Sequence, residues 1–245
     1  MADKVYFNLS EEIEQEIVNS YSTMLDDLTQ RLHTLNDSLM DLCSRVKYAP
    51  MVSLVNNTIE MFDEDIRQVA QTTFEEWLDG EGCFSAAARR YQSGEEAEGT
   101  ARALESQLQD VFNDFWANQP MGSAFSIDTA RPKAEDADFE ELEELYNTCS
   151  QDLQETTNSL LRTLEEQSVE DGTYRSLFPA IQCVGNAIST AFEQFGAKVK
   201  EGKEVAAQMR EEQQQKNEET AFELSTKSSA SSEDVAATLA MYGDL

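Results

Sequence analysis

Glycine and proline are scarce: the 245 residues hold 10 glycines and 4 prolines, well under half their ordinary combined share of roughly 12%. A sandwich or barrel of many short strands needs frequent turn residues, so that class is excluded. Bases are few, 18 against 48 acids, for a formal net charge of −30. Charge-driven nucleic-acid binding needs a basic surface that displaces counterions, and this chain repels phosphate. The single histidine is His33. A di-iron site of the ferritin type needs a Glu-x-x-His motif on two helices, which one histidine cannot supply. Cys43, Cys83, Cys149 and Cys183 form no close pair, whereas zinc sites are built from such pairs. They are also too sparse for a disulfide framework and are expected as reduced, packed thiols.

Long apolar runs are missing as well. The longest charge-free stretch, 176–192, contains Ser, Pro, Gln and Asn, and it falls short of the ~20 residues needed to span a bilayer. No transmembrane segment is expected. The first residues lack a basic start followed by an apolar stretch, so no ordinary secretory signal is expected either. The chain is read as cytoplasmic when synthesised; any export would use a route that reads no cleaved signal.

What is present is 40% apolar and 9% aromatic residues, too much for a wholly disordered chain. The reading is an all-α protein of long helices: elongated helical hairpins, or a coiled-coil-like bundle, with a disordered C-terminal tail. A first helix is predicted after Phe7, with Asn8 as its cap and Glu11 at the capping-box spacing. Its apolar positions are Val18, Tyr21, Leu25, Leu28, Leu32, Leu35, Leu39, Leu42 and Val46. Steps of three and four alternate without a break, the pattern of a heptad seam. At 1.5 Å per residue this helix is ~55–60 Å long. Pro50 ends or kinks it, and the short joint at Tyr48–Met51 predicts an antiparallel hairpin with the second helix.

That second helix carries Val55, Ile59, Phe62, Ile66 and Val69. Its stripe then changes phase to Ala70, Phe74, Trp77 and Leu78. Asp79-Gly80-Glu81-Gly82 is the strongest turn signal in the chain. A short helical piece, 84–91, comes next, with a break at Ser93-Gly94. The pattern resumes through Ala101, Leu104, Leu108, Val111, Phe112 and Phe115 and stops near Asn118. These segments make an N-terminal region, 8–118: a long hairpin with a third helix. Residues 119–136, with Pro120, Gly122, Ser123, Ser126 and Pro132, read as a linker. A C-terminal hairpin, 137–216, pairs a helix on Phe139, Leu142, Tyr146, Cys149, Leu153, Leu160 and Leu164 with one on Leu177, Ile181, Val184, Ile188, Phe192, Phe195 and Val199. Residues 217–245, serine-rich and acidic, are expected to be disordered.

Little in this sequence carries chemistry. His33 comes directly after a seam position and points off it. Paired acids, such as Glu75-Glu76, Glu140-Glu141, Glu143-Glu144 and Glu165-Glu166, do acid–base work only when burial separates their pKa values; here they flank apolar seams and read as solvated faces. No nucleophile elbow, phosphate loop or dinucleotide glycine pattern occurs. The chain is read as a non-enzyme with no catalytic residue, cofactor or metal. In 176–192 the small residues Ala180, Gly185, Ala187 and Ala191 alternate with Leu177, Ile181, Val184 and Ile188. That face either packs within the chain or meets a helix of another chain.

Trp77-Leu78-Asp79-Gly80 lies between two helices. A helix, a Trp-containing glycine turn and a second helix, in an acidic chain without a signal peptide, resemble the Trp-x-Gly helical hairpins of type VII secretion and the targeting domains of its Leu-x-Gly toxins. The resemblance covers 51–118. The spacing differs by one residue, since Trp77 and Gly80 enclose two residues rather than one. Tyr91 and Glu95 have the four-residue spacing of the family's export signal but precede the end of the second helix. The resemblance implies a component, substrate or secretion partner of a bacterial type VII-like system. The expected mode of action is protein–protein interaction, in a homo- or hetero-oligomer, through one seam on Leu28, Leu32, Leu35 and Leu39 and another on Ile181, Val184 and Ile188, with Trp77 and Gly80 at the turn. Two alternatives remain open: an intracellular acidic chaperone or adaptor, and a structural coiled-coil assembly protein.

Overall fold

The computed structural model describes residues 6–91, 93–127, 133–169 and 171–228. Among these the fold is all-α. The helices are α1 (Glu11–Val46), α2 (Ala49–Met61), α3 (Arg67–Asp79), α4 (Phe84–Arg90), α5 (Glu95–Ala117), α6 (Asp136–Gln167) and α7 (Phe178–Ser228).

The α1 stripe is buried from Tyr21 to Val46 as its heptad spacing predicts, and Ile17 rather than Val18 closes it at the N-terminal end. Its cap differs from the predicted one. Ser10 is the N-cap, its hydroxyl accepting from the Ile13 N–H. Asn8 instead meets Thr173, whose hydroxyl accepts from the Asn8 N–H at 2.8 Å. The extended residues before α1 are thus pinned beside the turn that precedes α7, where the Gly172 N–H donates to the Tyr6 carbonyl. At the other end Lys47 adopts a left-handed conformation and its N–H returns to the Cys43 carbonyl. Pro50 then opens α2, where its missing N–H costs nothing.

Helices α2 and α3 form one continuous helical stretch joined by a π turn, Phe62–Ile66. A π turn holds extra chain per turn, which rotates everything after it. This is the origin of the phase change in the sequence. Phe62 closes the first stripe, Ala70 opens the second, and Val69 between them turns outward, 55% exposed.

The predicted α1–α2 hairpin is not the main pairing. Helix α1 packs chiefly along α6 and also on α5, with only marginal contact to α2. The sequence places a continuous stripe on α1 and another on α6, so the two match along their length. The interrupted stripe of α2–α3 faces elsewhere. Phe62 meets Trp116 and Phe192, and Phe74 stacks on Phe112 at 4.4 Å. Helices α6 and α7 run antiparallel and close. Ser150 bonds Ser189, and Thr157 lies against Gly185.

The described parts of the predicted linker 119–136, residues 119–127 and 133–136, are docked on the helices at several points. Pro120, Met121 and Ala134 are buried. The Asn56 amide clamps Phe125, donating to its carbonyl at 2.8 Å and accepting from its N–H at 2.7 Å. Pro132, counted in the predicted linker, lies outside the described residues. One compact unit extends to Val199, and it includes both the 8–118 region and the C-terminal region as far as that residue. A second unit begins at Lys200. In the predicted tail, 217–228 continue α7 as helix, and 229–245 lie outside the described residues.

Candidate functional site

The seven seam residues proposed for partner contact are buried among the chain's own helices. Leu28, Leu32, Leu39, Ile181, Val184 and Ile188 have no exposed surface, and Leu35 keeps 4%. In this conformation they form the core and offer nothing to a second chain. The close-approach reading of the 176–192 face therefore applies inside the molecule. A Cβ at Gly185 would overlap Thr157, which is why glycine stands there.

Trp77 and Gly80 do mark a turn. The Gly80 N–H donates to the Trp77 carbonyl at 3.1 Å, and the Trp77 ring sits against Phe74 and Phe84. Its face is buried in the core and is not presented to solvent. The next helix, α4, has seven residues. Its N-terminus is held by the Glu105 carboxylate, which accepts from the Ser85 N–H at 2.7 Å. A buried acid beside a helix N-terminus is well placed against the dipole, so Glu105 is structural.

His33 is exposed, and the paired acids are exposed or half-buried. The four cysteines are buried free thiols. Burial pushes the Cys43 thiol up to about 11 and those of Cys149 and Cys183 up to about 12. Cys149 is also pushed up by the nearby Asp152 charge. A nucleophilic thiol needs the opposite shift. No cluster of three or more His, Cys, Asp or Glu side chains able to hold a metal occurs among the described residues. No helix among them is long and apolar enough to cross a membrane.

A concave surface lies between α1 and α6. The two helices are antiparallel, as three cross-links along them show. Glu16 accepts from Gln167 at 2.8 Å, Arg31 pairs with Asp152 at 3.2 Å, and Arg45 pairs with Glu141 at 2.5 Å. Between these lie two open grooves of about 600 Å³ and about 590 Å³. Asp27 and Arg31 line both, so they are halves of one furrow with the Arg31–Asp152 pair between. The first half has Leu35, Leu145 and Cys149 at its base, the second Met24 and Leu160. Leu145 and Leu160 are half-exposed. Around them stand Asp27, Glu141, Glu144, Asp152 and Glu155, with Arg31 as the sole lining base.

Sequence reasoning missed Asp27, Arg31, Asp152 and Glu155, and it read Glu141 and Glu144 only as a solvated face and Leu35, Cys149 and Leu160 only as stripe positions. Arg31 and Asp27 sit beside the α1 seam, where charges that face a neighbouring helix are expected. That position was a usable signal. The identity of the neighbour was not legible, because nothing in the α1 pattern distinguishes α6 from α2 as its partner. No protein-family model matches the chain, and no curated protein or solved structure matches it.

Proposed function

We propose that this chain is a non-enzymatic binding protein that engages other proteins through its solvent-facing acidic helix surfaces, in the manner of an acidic chaperone or adaptor for a basic client. The observation that carries this reading is where the two residue classes lie. The apolar seams are consumed in the core, while all but a few carboxylates, such as the buried Glu105 and Asp171, remain outside, and five of them line a furrow with almost no bases in it. A surface of this kind attracts cationic partners, speeds their encounter and rejects acidic ones.

The test is suppression of aggregation. A basic, aggregation-prone client should scatter less light in the presence of this protein at low ionic strength, and the effect should vanish at high salt as surface charges are screened. Equal protection of an acidic client, or protection that is indifferent to salt, would refute the reading.

A more specific reading, a component, substrate or secretion partner of a type VII-like system, is supported by the Trp77–Gly80 turn between helices. Fractionation of a secretion-competent bacterial culture tests it: the protein should be found in the medium, and its confinement to cells would reject export.

A further inference from the structure

We infer that the α1–α6 furrow is the docking site for a basic amphipathic helix of a partner protein; this rests on the acidic-surface reading above and gives it a location. Two antiparallel helices side by side leave a channel that a third helix can fill, and lining positions 19–38 on α1 span ~28 Å at 1.5 Å per residue. The floor supplies apolar contact in both halves. Leu145 and Leu160 are the half-exposed members of α6 there, beside buried Leu35 and Met24. They lie 15 positions apart, ~22 Å along the axis. The rim supplies charge. Asp27, Glu144 and Glu155 have no ion pair among the described residues, unlike Asp152 and Glu141. Glu144 and Glu155 stand 11 positions apart on the same helix, three full turns and ~16 Å.

The occupant that meets both sets is a helix with leucines about four turns apart and lysines or arginines about three turns apart. The Arg31–Asp152 pair shows that a guanidinium fits across this channel and leaves both groups 40–47% exposed. Other occupants fit poorly. A second copy brings a charge of −30. Residues 229–245 contain Glu233, Asp234 and Asp244 and no base. Anionic lipid and nucleic acid are repelled by the same rim.

The experiment is fluorescence anisotropy with a synthetic helical peptide carrying lysines eleven apart and leucines fifteen apart, titrated with the full chain. Asp27→Asn with Glu144→Gln and Glu155→Gln should weaken binding about tenfold or more. Glu75→Gln with Glu76→Gln and Asp79→Asn, which removes equal charge from exposed positions on α3, should change it less than about twofold. Leu145→Ser with Leu160→Ser tests the floor independently and should also weaken binding, with the helical circular dichroism of every variant unchanged. Equal loss in the two acid variants would overturn the furrow as the site while leaving general acidic-surface binding intact. No binding to the unaltered protein would overturn both.

Discussion

Leu32 has no exposed surface, and neither do Leu28 and Leu39 on either side of it along the seam. An aspartate there would place a charge without a partner in the core, which costs several kcal/mol. Leu32→Asp should therefore abolish the cooperative thermal transition, whereas Leu32→Ala should lower stability by about 2–5 kcal/mol; a melting temperature unchanged by Leu32→Asp would contradict the burial. The thiols give a second prediction. Cys43, Cys149 and Cys183 hold their protons in the fold to about pH 11 to 12, well above their ordinary value of 9. The unfolded chain releases those protons from about pH 9 upward, so it binds fewer protons than the native state between the two values. Stability is then present in full below about pH 9 and falls as pH rises toward 11 to 12. Thermal melts across that range should show the fall, and Cys149→Ala should make it shallower. A slope untouched by the substitution would contradict the shift. At this scale the sequence was most legible where period decides the outcome. Seam leucines recur every three or four residues, so burial follows from spacing alone. Furrow acids do not, because whether Glu144 is paired depends on a helix about a hundred residues earlier.

Helices α6 and α7 approach each other closely. Gly185 faces Thr157, Gly196 faces Asn147, and Ser150 and Gln154 bond Ser189 between them. Gly185→Ala would force its methyl into Thr157, and overpacking of this kind costs about 1–3 kcal/mol. Chemical denaturation should report that loss, and adding Thr157→Ala should recover part of it. A double variant no more stable than Gly185→Ala would mean that the two residues are not opposed. The existence of each main helix was readable in the sequence, and so was the break at Ser93-Gly94. A phase change was readable too, but the sequence pattern placed it after Val69, whereas the π turn at Phe62–Ile66 brings it forward and turns Val69 outward. Pairing was not. A short joint favours a hairpin between neighbours in sequence, but the unbroken stripe of α6 offers α1 more matched surface than the interrupted stripe of α2–α3. The N-cap differs from expectation for a related reason. Asn8 and Ser10 are both good caps, and tertiary contact with Thr173 claims the first.

At the level of the whole molecule, acid outnumbers base by thirty and sits outside regular apolar stripes. The unit that ends at Val199 contains the full α1–α6 furrow and the buried face of α7. Removal of 200–245 should leave that unit with a cooperative melt and with its affinity for the basic helix. Loss of the melt would show that the unit depends on residues 200–245. The central claim is that binding uses the carboxylates of the furrow rather than the buried seams or the acidic surface at large. Carboxyl-group footprinting by mass spectrometry, with and without the lysine-bearing helix, reads this directly. Asp27, Glu144 and Glu155 should lose labelling on binding while Glu75 and Glu76 keep theirs. Uniform protection of all five, or protection confined to Glu75 and Glu76, would contradict the account.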